Sequence, residues 1–408
     1  MSGTRSAIVI GGGVTGILSA WELLSAGWQV TLLEAQTVGA GSSSRTAAGI
    51  RQQFSTRATV LGMRYSVSFY ERFKEIFEAA ESPLKQHGYL FLTDSEEGWS
   101  QTQQRVQWQR SIGLEDVQVL DRAELAHRFP WIDTQVCVGA SFCPSDGFLL
   151  PAVIYQEGAR RVRELGGKLL QYAQVEGANI QGGRLLSLQT SKGEVSGDLF
   201  VNCTNAWSQQ LMRQLGLPAL PIAPLKRYLW FLQRGGSMTV EDFMTMPLVV
   251  SPAGVYCRPE NEGSMLMGWA HAAEPEPWFS YDDQDQVKPG FSHNSGIDAL
   301  PFEAWMSLAE ALPPVGEFEG ITATTCGYYG TTPDHNPFLG FDAQLGNVIH
   351  AVGFSGHGIM FGPFAARVVR QFAEGGSQEN SIELQGKTIS LDAFQLDRSF
   401  VASESMVI

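Results

Sequence analysis

The sequence of 408 residues predicts an α/β fold in which a domain wound around a parallel sheet carries an inserted α+β domain built on a mixed sheet. Three observations predict it. A strand–helix–strand pattern opens the chain between Ala7 and Glu34. Short apolar runs at Ala7–Ile10 and Asn347–Gly353 suit buried strands, and Leu199–Cys203 alternates like a further strand. Strand-like runs then dominate Pro218–Gly268 and call for a separate sheet. At ~150 residues per domain, the length gives two to three domains and a sizeable core. We assign residues 1–85, 150–220 and 325–408 to the first domain, and residues 86–149 and 221–324 to the inserted one.

Taken in order, Ala7–Ile10 is a strand ending at Gly11. Val14–Ala26 is a helix, on the spacing of Ile17, Leu18, Trp21 and Leu24, with Gly27 as its stop. Val30–Leu33 is a second strand. Ser55–Ala80 reads as mostly helical, Gly88–Thr93 as a strand, and the Gln-rich stretch to residue 129 as helices and turns. Gly139–Leu150 is a loop or a strand pair, and Val153–Leu165 a helix. Lys168–Val175 and Arg184–Thr190 alternate like strands between Gly turns. Residues 274–300, acidic and Pro-containing, form a long surface loop. Pro363–Ala373 is a last helix, and no repeat is seen.

Composition excludes several functions. Hydrophobic residues at 44% and charged ones at 17% are ordinary globular usage, so no tail reads as disordered. The net charge is -14 and no basic run can follow a phosphate backbone, so nucleic acid is not an expected partner. Cysteines 137, 143, 203, 257 and 326 form no CxxC pair. That pattern suits a reducing, cytoplasmic setting rather than a disulfide framework or a metal site. The apolar stretches Ala7–Leu24 and Asn347–Ala366 carry four glycines each, with Glu22 in one and two histidines and a proline in the other, so neither is expected to span a bilayer.

The first turn carries chemistry. Gly11, Gly12, Gly13, Val14, Thr15 and Gly16 fit G-x-G-x-x-G between a strand and a helix, with acidic Glu34 ~20 residues on. Gly11 permits the turn, Gly13 a close approach to a pyrophosphate, and Gly16 close helix–strand packing, while the helix N-terminus offers N–H groups to anions. Glu34 would accept ribose hydroxyls, so the unit is Rossmann-like and binds a dinucleotide. The motif alone does not choose between NAD and FAD.

Three further segments resemble one family. Gly41-Ser-Ser-Ser-Arg-Thr-Ala-Ala-Gly-Ile-Arg-Gln-Gln-Phe54, Thr332-Pro-Asp-His-Asn-Pro-Phe-Leu-Gly340 and Gly353-Phe-Ser-Gly-His-Gly-Ile-Met-Phe361 follow the glycine turn in the order seen in the D-amino acid oxidase (DAO) superfamily of FAD enzymes. Within it they resemble the sarcosine oxidase, glycine oxidase and dimethylglycine dehydrogenase branch. The resemblance runs from about Ala7 to Arg370 and implies bound FAD. It assigns Ala35, Ser43, Ser44, Arg45, Thr46, Ala47 and Val175 to the cofactor. Gly356, His357, Gly358, Ile359 and Met360 would form a turn facing the pyrimidine end of the flavin. On residue types alone, Ser43–Arg45 also reads as a polar surface loop and His357 as a structural histidine.

The resemblance also implies site residues. Arg51 resembles the arginine that grips a substrate carboxylate, a bidentate task suited to guanidinium. Tyr256 and Tyr329 resemble active-site tyrosines, though each could be a core residue with a bonded hydroxyl. Arg258 is a second candidate carboxylate ligand. Four departures stand out. Leu266-Met267 replaces the strand lysine that activates oxygen in sarcosine oxidases, Met360 replaces a second carboxylate-binding lysine, and Asn205 replaces a usual glycine. Cys326 lies one residue early for covalent flavin attachment, so the FAD is expected to be noncovalent.

The implied reaction oxidises the C–N bond of an amine or amino acid, often secondary or N-methylated, with hydride passing to flavin N5. The acceptor would be oxygen, or a protein or quinone. The lost lysine points to a dehydrogenase, alone or as a subunit passing electrons to a partner, or to an oxidase with another oxygen site. A FAD-binding assembly factor without turnover is a third reading.

Overall fold

The computed structural model describes residues 5–269, 282–376, 379–400 and 403–406. A six-stranded sheet runs in the order Phe338–Phe341, Val348–Val352, Leu199–Asn202, Ser6–Ile10, Gln29–Leu33, Lys168–Leu170. All neighbours are parallel except the first pair, which is antiparallel. The central strands are apolar because helices cover one face and a three-stranded antiparallel sheet, Val175–Gln181, Arg184–Thr190 and Gly193–Ser196, backs the other. The helix Val14–Ser25 packs with Pro151–Glu164 and Gly358–Gly375 over the main core.

An eight-stranded sheet lies beside it, in the order Gly320–Thr331, Ala223–Gln233, Ser264–Trp269, Val255–Asn261, Leu248–Val250, Tyr89–Thr93, Gly139–Cys143, Gln118–Asp121. It is antiparallel except where Leu248–Val250 runs parallel to Tyr89–Thr93, so it is a mixed sheet, as expected. Strand alternation sends Trp230, Met265 and Met267 to a core on its far face, and Leu229, Tyr256 and Leu266 to a smaller cluster on the other.

Several elements differ from the sequence expectation for local reasons. The helix expected over Ser55–Ala80 divides into Arg57–Glu71 and Phe73–Phe77. The strand expected over Lys168–Val175 is broken because Tyr172 takes a left-handed φ of 56 degrees. Gly139–Leu150 holds two strands, in different sheets. Of the loop expected over 274–300, the part up to 281 lies outside the described residues, and 282–299 forms turns.

The last long helix begins at Gly358, five residues before the expected start at Pro363, because the proline sits inside it. Proline donates no N–H to the carbonyl four residues back. That carbonyl, of Ile359, instead accepts the buried Tyr70 hydroxyl at 2.7 Å, so this acceptor is not orphaned.

Candidate functional site

The glycine turn is shaped by contacts that no side chain could share. Gly11 has φ +106, and a Cβ there would meet the Cys203 carbonyl at 2.8 Å. At Gly16 a Cβ would fall 1.9 Å from the Gly11 carbonyl oxygen, so helix and strand pack at backbone contact. The Gly12 amide donates to Glu34 Oε2 at 2.7 Å and the Gln36 amide to Oε1 at 2.8 Å. Glu34 is thereby fixed at the strand end. Burial pushes its carboxyl above the usual range, and these amides oppose that.

Beside the turn lies a cleft of about 790 Å³, lined by Gly11, Gly13, Val14, Thr15 and Glu34 from one side. Ser42, Ser43 and Thr46 contribute hydroxyls, and Tyr329, Gly356, Gly358 and Ile359 close the opposite end. Ser43 Oγ accepts the Val14 amide at 3.1 Å, and Ser42 Oγ donates to the Tyr328 carbonyl at 2.5 Å. Ala35 and Val175 line an adjoining hollow beside Gly11. Its floor exists because the chain after Lys168–Leu170 turns back, with Tyr172 and Ala173 donating to the carbonyls of Gln36 and Glu34.

Two sequence-predicted contacts lie elsewhere. Arg45 turns away from the cleft to make a two-pronged ion pair with Asp285, at 2.6 and 2.8 Å, and also donates to the Ala40 and Gly41 carbonyls. Its partner sits 240 positions away in sequence, so residue type alone could not reveal it. Ser44 is an exposed residue whose hydroxyl donates to the Gly41 carbonyl at 3.3 Å. Asn205 adopts φ 45, a conformation asparagine tolerates, and its Oδ1 accepts the Gly353 and Phe354 amides at 3.0 and 3.2 Å. The asparagine therefore keeps the close approach a glycine would give.

A second chamber of about 430 Å³ adjoins the cleft and shares Thr46, Tyr329, Gly356 and Ile359 with it. Ala47, Arg51, Tyr256, His357 and Met360 line it, as do Tyr89 and Leu248, which sequence reasoning missed. Both missed residues lie on the two strands that run parallel in the mixed sheet, a pairing no local pattern signals. Gly356, with φ +90, is needed because a Cβ there would fall 2.4 Å from the Tyr329 ring.

Arg51 is 1% exposed. Its guanidinium lies 3.9 Å from the Phe54 ring centroid and donates to the carbonyls of Gln53 and Met406. Nη2 also lies 3.4 Å from His357 Nε2, which must accept because arginine only donates. That leaves the proton on Nδ1, a buried atom without a hydrogen-bond partner among the described residues. Burial, then Arg51 and His335, hold His357 well below the usual histidine range, so the ring is neutral. Burial likewise raises the hydroxyls of Tyr256 and Tyr329, which bond to each other.

Arg258 does not face the chamber. It donates to the Ala47 carbonyl at 2.7 Å and pairs with Glu260 at 2.6 Å, tying the Thr46–Ala47 loop to the mixed sheet. Cys326 lies on the far side of that sheet, where its thiol donates to the Gln284 carbonyl at 3.1 Å. Among the described residues no cluster of His, Cys, Asp or Glu could hold a metal, and no helix is long and apolar enough to cross a membrane.

The cleft fits a flavin dinucleotide on its own terms. Glycine-only backbone at the turn, N–H groups at two helix starts, hydroxyls along one wall and a fixed carboxylate at the strand end are the donors and acceptors such a molecule requires.

Comparison with known proteins agrees. Residues 6–372 match the family described as DAO, FAD dependent oxidoreductase. The chain is 26% identical over 443 residues to FAD-dependent oxidoreductase domain-containing protein 1 of Bos taurus, covering 98% of this chain and 85% of that one. It is 24% identical to mitochondrial sarcosine dehydrogenase of Mus musculus over 88% of this chain but 38% of the relative. The crystal structure of L-proline dehydrogenase from P. horikoshii superposes with a TM-score of 0.82 at 28% identity, covering 94% of this chain and 96% of the other. Family match and cleft lead to one conclusion: this chain belongs to the DAO family and is an FAD-dependent oxidoreductase.

Proposed function

We propose that the protein oxidises the C–N bond of a small secondary or N-methyl amino acid held through its carboxylate by Arg51. The observation that carries this is a buried cation with no acidic side chain bonded to it. Arg51 lines the chamber beside the flavin cleft, and its hydrogen bonds among the described residues go to neutral groups. Glu404 and Asp146 act on it only through space, and a buried charge without a bonded counter-ion carries a cost of several kcal/mol that an incoming carboxylate offsets.

FAD, when bound, supplies the two-electron acceptor. The protein's own residues hold the substrate. Arg51 fixes the carboxylate, the unpaired Nδ1–H of His357 offers a further donor, and the Tyr256–Tyr329 pair stays protonated against the chamber wall. Leu248 and Met360 limit water and favour a small, partly apolar substrate. The imine product hydrolyses on release.

The two relatives named above as dehydrogenases are named for secondary amino acids, sarcosine and L-proline. With Leu266 standing in the apolar cluster on the cleft side of the sheet, this favours a protein or quinone acceptor over oxygen. Cys326, directed into the far core, supports a noncovalent cofactor. The five buried free cysteines agree with a reducing, cytoplasmic setting. The chamber then lies between an FAD domain of 1–85, 150–220 and 325–408 and a substrate domain of 86–149 and 221–324.

Anaerobic mixing of the holoenzyme with N-methyl, cyclic and D-amino acids, followed in the flavin absorption band, tests this. Bleaching by sarcosine or L-proline is expected, and Arg51→Ala should raise the half-saturating concentration strongly. The loss of one partner from a buried charge pair costs about 2–5 kcal/mol, roughly 30- to 5,000-fold. Unchanged half-saturation refutes the carboxylate assignment, and rapid reoxidation by air rather than by a quinone refutes the dehydrogenase assignment.

A further inference from the structure

Beyond residue 372, where the family match stops, the segment Glu404–Met406 returns to the chamber wall. Glu404 is 1% exposed. Its carboxylate accepts the amides of Ser55 at 2.8 Å, Thr56 at 3.1 Å and Met406 at 3.0 Å, and also the Ser55 hydroxyl. The Glu404 amide donates to the Asp334 carbonyl at 3.0 Å, and the Ser405 amide to Ser55 Oγ at 2.9 Å. These bonds anchor the segment just ahead of the helix Arg57–Glu71, and they deliver one functional contact: the Met406 carbonyl accepts Nη2 of Arg51.

Arg51 thus has both terminal nitrogens held by carbonyls, Gln53 on Nη1 and Met406 on Nη2. A guanidinium binds a carboxylate well only when its plane is aligned, and a side chain with four rotatable bonds gains from being fixed beforehand. We propose that Glu404–Met406 is a positioning element of the substrate site, which fixes the plane of Arg51 and thereby sets selectivity for carboxylate ligands. The proposal rests on Arg51 being the carboxylate ligand.

The test uses the FAD-loaded full chain and two probes, pyrrole-2-carboxylate and its uncharged analogue pyrrole-2-carboxamide, with binding read from the flavin band and by calorimetry. Wild type is compared with Arg51→Met, with a chain stopped after Ser403, and with the milder Ser55→Ala, which keeps Glu404 but removes one of its anchors. Expected is a carboxylate affinity about tenfold lower in the stopped chain and lowered in Ser55→Ala, with the carboxamide unchanged. Stopping the chain exchanges the Glu404 carboxylate for a new terminal one on Ser403, so Ser55→Ala, which changes no charge, is the variant that reports lost alignment alone.

If Arg51→Met abolishes carboxylate binding while both segment variants bind as well as wild type or better, the positioning role is overturned and the Arg51 assignment stands. If Arg51→Met leaves carboxylate binding intact, the Arg51 assignment falls and the positioning role with it. Equal weakening of carboxylate and carboxamide makes the segment merely structural and also overturns the proposal. Should the stopped chain fail to fold, Ser55→Ala decides by the same criteria.

Discussion

Asp146→Asn should make the protein more stable above neutral pH and should do so progressively. Asp146 is fully buried, and its carboxylate accepts the Gln52 amide at 2.8 Å, Gln52 Nε2 at 3.0 Å and Gln53 Nε2 at 3.2 Å. Burial outweighs these bonds and pushes its carboxyl from 3.8 up to about 7. The folded state therefore binds this proton more tightly than the unfolded chain does. The stabilisation is fully present below pH 3.8 and is lost as pH rises to about 7, a total of about 4 kcal/mol at 1.36 kcal/mol per unit. About 3 kcal/mol of it disappears between pH 5 and 8. Asparagine keeps an oxygen for the Gln52 donors and carries no charge, so its curve lacks this fall. Thermal melts of both proteins from pH 5 to 8.5, at fixed saturating FAD, should diverge by several degrees as pH rises. Parallel curves refute the reasoning, because they mean that Asp146 is ionised throughout.

Two other substitutions follow from the same geometry. Gly16→Ala places a Cβ 1.9 Å from a backbone oxygen that cannot yield, so helix and turn must separate. The overpacking costs about 1–3 kcal/mol, roughly 5- to 150-fold in flavin affinity, measurable as flavin release by fluorescence; unchanged release refutes it. Tyr70→Phe leaves the Ile359 carbonyl without its donor opposite Pro363. Denaturant unfolding should show a loss of about 1–3 kcal/mol, and a loss under about 0.5 kcal/mol contradicts the pairing.

Much of this was legible because the chemistry is local. The turn Gly11–Gly16 and the carboxylate of Glu34 belong to one strand–helix–strand unit, and each glycine's steric task is stated by its neighbours in sequence. Arg51, Tyr256, Tyr329 and His357, assigned from motif resemblance, come together in one chamber. What escaped depends on partners far along the chain. Arg45 has the right charge for a phosphate, but Asp285 takes it, and nothing near Arg45 signals that. Tyr89 and Leu248 enter the chamber through a strand pairing, and Met406 reaches Arg51 across 355 positions. The start of the last helix was misplaced because a proline normally marks a first turn. Its interior place requires a tyrosine hydroxyl from another helix.

The order of strands in the six-stranded sheet has a consequence for biosynthesis. The Ser6–Ile10 strand pairs with Leu199–Asn202, which in turn pairs with Val348–Val352. The two ends of the flavin cleft, Gly11–Thr15 and Gly356–Ile359, are therefore made far apart in time during translation. A nascent chain that ends before about residue 350 owns the phosphate turn but neither the strand nor the helix that complete the cleft. Cofactor capture is consequently a late event, coupled to the closing of long-range pairings rather than to the folding of the first hundred residues. Until then the early strands wait with an open edge, and that interval is when a chaperone, or a high concentration of free flavin, has most influence on yield.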